Sequence, residues 1–333
     1  MSTTTDLSKY EKLSEMEHLL KRPDTTMGSI ETIEKEIWLF NKDEKRMELR
    51  EIKMNPGILK IFDEAIVNCR DHYVRQNNKK EDENTVKVSL IEVEIKNNGE
   101  ITITNDGNGI DIEKHPKEPE IWIPESVFFE LRSGTNFNDD EEKITGGKNG
   151  YGAKLVFVWS KYGSLETVDH IRKLKYVQNV KENLSIKEKP KITKYGKKPY
   201  TKLTFMPDYE KFGIELTKDM IEVLRKRVVD LSAVLDKSVK IKTKIGYESE
   251  WELLPIKSFE QYANLYLGEN VIYEKSSERW EYAIGISLTE KFNQISFVNG
   301  INTYKGGEHV ETWLKEFISK MTKYIELKKK IKI

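Results

Sequence analysis

Cysteine is nearly missing from these 333 residues. Cys69 stands alone, which rules out an internal disulfide and any zinc site built on thiolates. A surplus of charge is missing too: 56 Lys and Arg meet 56 Asp and Glu, a formal net charge of zero. The chain therefore lacks the overall basic signature of a nucleic-acid binder, and any such contact has to come from a local patch. No apolar run approaches the length that spans a bilayer, and residues 1–7 are polar, with no secretory signal and no membrane partner implied. His18, His72, His115, His170 and His309 are scattered without ligand spacing. Together these absences predict an intracellular protein of a reducing compartment, nuclear if eukaryotic and host-intracellular if viral.

What is present is a hydrophobic share of 37% and a charged share of 34%. That is enough to bury a core under a heavily charged surface, and the length predicts two domains. Apolar spacing of three and four predicts a short amphipathic helix over 10–21, stopped by Arg22-Pro23. A longer helix begins near Pro56, with Ile58, Ile61, Phe62, Ala65, Ile66, Cys69 and Tyr73 on one face. Residues 86–96 alternate like a strand, Asn98-Gly99 turns it, and 101–104 return as its partner. Further strands are expected around 165–168, 175–180 and 202–206, with the basic stretch 187–198 between the last two read as a surface loop. A helix is expected over 220–235, paired strands over 282–288 and 294–299, and a helix over 309–327. The fold class is α+β, with a domain boundary placed between 262 and 263.

Three segments can carry chemistry. In FDEAIVN (62–68), Glu64 and Asn68 lie one helical turn apart, with Asp71 continuing the stripe. A carboxylate and an amide side by side can supply a general base and a metal or phosphate ligand, though a solvated polar stripe reads the same way. In NDGNGI (105–110), Gly107 and Gly109 allow a sharp turn and a close approach to the backbone, and Asp106 is an acceptor-only group. Alone this is a turn signal. In TGGKNGYGAKL (145–155), four glycines precede an apolar helix, so backbone amides with Lys148 and Lys154 can attract phosphate. The pattern is neither the P-loop nor the dinucleotide fingerprint.

In this order the three segments resemble the motifs of the GHKL (Bergerat-fold) ATPases, which include gyrase-type topoisomerases, mismatch-repair MutL proteins, heat-shock chaperones and histidine kinases. Four longer stretches narrow the resemblance: YEKLSEMEHLLKRPDTTMGSIE from Tyr10, PGILKIFDEAIVNCRDH from Pro56, EEKITGGKNGYGAKL from Glu141 and QISFVNGINTYKGGEHV from Gln294. These are similar to eukaryotic or viral type IIA DNA topoisomerases, over nearly the whole chain. The resemblance implies an ATP-binding α/β sandwich over 1–262, followed over 263–333 by an incomplete transducer domain of the ribosomal S5-like α/β type. It implies that Glu64 is the general base, that Asn68 is the Mg²⁺ ligand, that Asp106 reads adenine with Thr201 assisting, and that Gly109 is a further nucleotide-binding residue. It further implies that Lys148, Asn149, Gly150, Tyr151, Gly152 and Lys154 form the phosphate-binding lid. Ser133, Gly134, Thr135 and Asn136 resemble the ribose and phosphate loop, with a spacing that differs by one residue from eukaryotic relatives.

ATP and Mg²⁺ are thus the implied cofactors, a homodimer formed on ATP binding the implied assembly, and duplex DNA the partner of the full enzyme. In the resembling family an N-terminal arm crosses to the partner, and Tyr10 is the candidate tyrosine. Two departures bear on activity. No Gln-Thr-Lys tripeptide occurs, and neither does the Glu-Gly-Asp-Ser-Ala stretch of the DNA-cleavage domain. The expectation is therefore a chain that does not cut DNA, with cleavage domains on a further C-terminal part or a separate subunit. Alternative readings are a non-catalytic, nucleotide-switched dimerisation module, or a MutL-like ATPase.

Overall fold

The computed structural model describes residues 13–78, 83–131, 151–268, 271–287 and 291–329. Tyr10, Ser133, Gly134, Thr135, Asn136, Lys148, Asn149 and Gly150 lie outside the described residues.

In chain order the helices are α1 (Glu15–Lys21), α2 (Pro56–Asn78), α3 (Ile123–Phe129), α4 (Gly152–Val158), α5 (Lys218–Ala233), α6 (Phe259–Leu267) and α7 (Glu308–Lys329). The strands are β1 (Ile33–Asn41), β2 (Arg46–Met54), β3 (Leu90–Ile95), β4 (Ile101–Asp106), β5 (Ser160–Asp169), β6 (Leu174–Lys181), β7 (Ile186–Lys187) and β8 (Lys191–Lys194). They continue with β9 (Tyr200–Pro207), β10 (Lys240–Ile245), β11 (Glu252–Leu253), β12 (Ile272–Ser277), β13 (Trp280–Ile284), β14 (Phe297–Val298) and β15 (Ile301–Asn302).

Nine strands form one mixed sheet in the order β11-β10-β3-β4-β9-β5-β6-β7, with β8 also paired to β6. Only β10 with β3 is parallel among these pairs. The alternation in β3 and β4 turns Ile91, Val93, Ile95, Ile101 and Ile103 inward, as a sheet with one covered face requires. Against that face pack Ile58, Ile61, Phe62, Ala65 and Ile66 of α2, residues 155–158 of α4, and Leu224 and Val228 of α5, in one continuous core. At roughly 1.5–3 kcal/mol for each fully buried large apolar side chain, this face fixes the helix orientations. The α+β class stands.

Several elements differ from the sequence reading. α1 is shorter than 10–21 because Ser14 starts it with a full capping box to Glu17. The strand expected from residue 86 begins at Leu90. Upstream, Val86 and Val88 spend their backbone groups on Gln76 and Asn108 side chains instead of a ladder. Within the stretch 187–198, β8 pairs with β6 and is the outer strand of the sheet rather than a loop. Among the described residues, segments 282–287 and 294–299 of the expected pair do not pair with each other. β13 pairs with β12, and β14 turns back into β15 through Asn299 and Gly300. Both turn residues have positive φ, 49° and 81°, the demand of a two-residue hairpin turn. The division expected between 262 and 263 falls inside α6, whose Tyr262 hydroxyl donates to Asp230 of α5 at 2.6 Å.

Candidate nucleotide site

α2 sets the geometry. Buried Asn55 caps it, accepting from the Ile58 amide at 3.1 Å and donating to the carbonyls of Ile30 (2.7 Å) and Phe212 (3.1 Å), and Pro56 supplies a first residue that needs no amide partner. This fixes the rotation of the helix, and one row of side chains four apart then faces β4 and the start of α4.

The row begins with Lys60, whose ammonium pairs with Glu64 Oε1. The other carboxylate oxygen, Oε2, lies so close to Gly152 that a Cβ there would overlap it. Only glycine lets the first residue of α4 come this near the carboxylate. One turn on, Asn68 donates its Nδ2 to the Glu64 carbonyl at 2.7 Å, which directs its Oδ1 away from the helix. The next residue in the row is His72, not Asp71. His72 Nδ1 lies 3.0 Å from Asn105 Nδ2, whereas Asp71 is buried beside Arg70.

Strand alternation separates Asn105 from Asp106. Asn105 belongs to the covered face, is buried, and donates Nδ2 to the Asp106 carbonyl (2.7 Å) as well as meeting His72, so its Oδ1 is the acceptor of the group. The Asp106 carboxylate points elsewhere. Its Oδ1 accepts from the Ser89 and Leu90 amides at 2.7 and 2.8 Å, and its Oδ2 from the Ser89 hydroxyl at 2.6 Å. Three donors hold it as a clasp at the start of β3, which engages both carboxylate oxygens within the chain. Sequence reasoning did not single out Asn105; the signal that places it on the covered face is the two-residue period of β4, which puts Asn105 with Ile101 and Ile103.

Thr201 of β9 is the register partner of Asn105, and also of Thr167 in β5. The Thr201 and Thr167 hydroxyls are 3.1 Å apart, and fully buried Thr167 accepts from the Ile110 amide at 3.0 Å. Gly109 presses its backbone onto the Val168 carbonyl where any Cβ would collide. Asn105, Thr201, Thr167 and Gly109 are thus brought together across three strands.

Tyr151 precedes α4 and its hydroxyl donates to Glu15 of α1, tying α1 to the start of α4. Lys154 is only 3% exposed, and burial lowers its ammonium to about 8 against a weaker opposing pull from Glu130. α4 itself has seven residues. Cys69 is buried and inert, its thiol pushed up to about 12 by burial first and by Asp71 second. No group of three or more His, Cys, Asp or Glu side chains among the described residues could hold a metal ion. A cation would therefore need nucleotide oxygens beside the Asn68 amide oxygen, the manner in which Mg²⁺ is commonly bound. The donor chemistry of Asn68 fits that role. No helix among the described residues is long and apolar enough to cross a membrane.

A one-sided mixed sheet, with a polar row on α2 opposite a strand-end Asn and a glycine-tight helix start, defines a nucleotide-binding ATPase. Residues 55–207 match the family described as histidine kinase-, DNA gyrase B- and HSP90-like ATPase, and residues 255–333 match the DNA gyrase B family. The chain is 40% identical to DNA topoisomerase 2 of Saccharomyces cerevisiae, over 97% of this chain and 23% of that protein. It is 37% identical to DNA topoisomerase 2 of Acanthamoeba polyphaga mimivirus, over 96% of this chain and 26% of that protein. The crystal structure of the ATPase region of Saccharomyces cerevisiae topoisomerase II superposes with a TM-score of 0.86 at 39% identity, covering 96% of this chain and 82% of that one. The chain belongs to the type II DNA topoisomerase family and corresponds to its ATPase region. It spans about a quarter of the length of the curated relatives it matches.

Proposed function

We propose that the chain binds ATP between α2 and the segment leading into α4, hydrolyses it, and uses nucleotide-driven dimerisation as the clamp of a type II DNA topoisomerase. The observation that carries this reading is the row Glu64, Asn68 and His72, held on one face of α2 opposite Asn105 and Gly152.

Glu64 is the base. Its Oε1 is held by Lys60, which orients the carboxylate and leaves Oε2 toward the start of α4, where a water can be deprotonated. Asn68 Oδ1 is the protein ligand for Mg²⁺, which when bound neutralises phosphate charge. Asn105 Oδ1 replaces Asp106 as the acceptor for the adenine amino group, with the Thr201 and Thr167 hydroxyls beside it. Lys154 meets phosphate charge, together with Lys148, Asn149, Gly150, Tyr151 and Gly152 of the lid, and Ser133, Thr135 and Asn136 complete the ribose and phosphate loop. The dimer and the DNA substrate come with the family reading, as do cleavage domains on another part or subunit. Tyr10 remains the candidate for the arm that reaches the partner.

Sedimentation with and without a non-hydrolysable ATP analogue, together with steady-state ATPase measurements, tests the reading. Nucleotide should convert monomer to dimer, and deleting residues 1–11 should weaken that conversion. A chain that stays monomeric in saturating analogue, or that fails to bind it, would overturn the clamp.

A further inference from the structure

The chain is electrically neutral as a whole, yet residues 187–198 hold six lysines and one glutamate. These residues form the β7–β8 edge of the main sheet and the turn that leads into β9.

Pairing accounts for some of this charge and leaves the rest. The neighbouring acids are already matched. Glu130 is held by Lys187, Glu188 by Lys181 at 2.5 Å, and Glu166 by Lys175 at 3.0 Å and Lys202 at 3.2 Å. Arg172, in the turn between β5 and β6, gathers Asp111 (2.8 Å), Glu113 (2.7 Å) and Asp169 (2.8 Å). What remains is Lys189, Lys191, Lys194, Lys197 and Lys198, all exposed and with no ion pair among the described residues. Lys191 and Lys194 stand at the two ends of β8, roughly 10 Å apart at a strand's rise per residue. Three residues apart, these two lysines flank the strand on opposite faces, and a duplex presents a phosphate charge about every 3.4 Å of helix axis on each strand, so an edge of this length spans several phosphates.

We propose that this lysine edge is a duplex-DNA backbone contact, binding phosphate without reading sequence. The proposal rests on the functional reading above only in taking duplex DNA as the polyanion. The competing account is that lysines on an outer strand merely discourage edge-to-edge pairing between chains. That account needs lysines at β8 but gives no reason for Lys197 and Lys198, which lie beyond the strand. Neither group touches the Glu64 row, so the contact and the nucleotide site can be tested separately.

The test is fluorescence anisotropy of the whole chain with a labelled duplex of about 30 base pairs over a salt series. Five phosphate contacts give a slope of log affinity against log salt of up to about −4.5. Replacing all five lysines, as K189Q/K191Q/K194Q/K197Q/K198Q, should reduce the steepness of that slope by about 3 or more and weaken binding at least about 10-fold near 0.1 M salt. The same five positions changed to Arg should bind as wild type, because phosphate contact needs only the charge. K315Q/K320Q/K323Q on exposed α7 is the control and should leave the slope in place. The double variant K197Q/K198Q serves if the five-fold change impairs folding, with a loss of slope of about 2 expected. An unchanged slope in the Gln variants, an equal loss in the α7 control, or binding to heparin with none to duplex DNA would each overturn the proposal. Calorimetry with ATP analogue on the same preparations keeps the outcomes apart: loss of nucleotide binding in the wild type sinks the ATPase reading and not this edge.

Discussion

Lys154 gives the sharpest numerical prediction, because its ammonium sits where a fold alone would not put one. It is 3% exposed within α4, and burial brings it from 10.5 to about 8, with Glu130 pulling weakly the other way. At ~1.4 kcal/mol per pH unit, that difference amounts to about 3 kcal/mol of destabilisation of the folded state while the lysine is charged. Below pH 8 both folded and unfolded chains carry the proton and the cost is present in full. Between pH 8 and 10.5 the unfolded chain holds more protons than the folded one, so stability rises with pH, and above 10.5 the cost is gone. Lys154→Met keeps the length and removes the charge. Without nucleotide it should be more stable than wild type by up to about 3 kcal/mol at pH 7, with the advantage shrinking at pH 8.5 and nearly absent at pH 10.5. On the phosphate role proposed for Lys154, nucleotide affinity should fall at least about 10-fold, because the burial cost of the charge is then recovered on binding. Urea unfolding of both proteins at three pH values, with calorimetry on the same samples, makes the measurement. A Met variant less stable than wild type at pH 7, a stability difference independent of pH, or unchanged nucleotide affinity would refute the argument.

Three other outcomes follow from the geometry. Glu64→Gln should bind nucleotide nearly as wild type and lose roughly 10²–10⁴-fold in turnover, since an amide takes no proton at neutral pH; retained turnover in steady-state assays would remove Glu64 as the base. Asn105→Ala should abolish nucleotide binding by calorimetry, whereas Asp106→Ala should lower the melting temperature, through three donors left at Ser89 and Leu90, more than it lowers affinity; the reverse ranking would restore Asp106 as the adenine reader. Arg227→Met should cost about 3–5 kcal/mol in unfolding free energy by leaving Asp63 without its buried partner, and Asp63→Asn in the same chain should recover part of that loss; a change under 1 kcal/mol would show that the pair is dispensable.

The legible and illegible parts of the sequence divide along physical lines. α2, α5 and α7 were readable because long apolar periodicities survive whatever packs on them, and β5, β6 and β9 because buried strands carry β-branched and aromatic runs. The β1–β2 hairpin escaped because its alternation is masked by charge: of its register pairs, Glu34 meets Lys53 and Glu36 meets Glu51 on its exposed part, and only Leu39, Phe40, Met47, Ile52 and Met54 are buried. β8 escaped for a related reason, since an outer strand rich in lysine reads as loop. The β14–β15 turn was legible after the fact in Asn299-Gly300, the dipeptide that permits positive φ twice. Order and spacing singled out the segments on which the proposed site is built. The proposed move from Asp106 to Asn105 comes from strand alternation: a motif read as letters carries no face, whereas a strand does.

That distinction between letters and faces applies with most force to α2, where neighbouring residues serve opposite sides. Glu64, Asn68 and His72 face the candidate nucleotide site, while Asp63 and Arg70 face the C-terminal elements. Buried Arg227 of α5, 1% exposed, donates Nε to Asp63 at 2.5 Å and Nη2 to the Gly300 carbonyl at 3.1 Å, and Arg70 donates to the Asn299 carbonyl at 3.0 Å. Burial works against the Arg227 charge, but Asp63 and Asp230 outweigh it and hold the guanidinium firmly protonated. The turn between β14 and β15 is therefore fastened by two guanidinium groups to the helix that carries Glu64. A shift of α2 on nucleotide binding could not leave that turn in place without breaking a buried charge-assisted bond, which costs more than moving the turn with it. Rigid coupling of this kind needs no separate relay, and amide exchange at residues 296–303 should slow when a non-hydrolysable nucleotide is added to wild type. In Arg70→Met/Arg227→Met, which removes both fastenings, the same amides should exchange at one rate with and without nucleotide, and a nucleotide effect that survives there would mean that the coupling runs through other contacts.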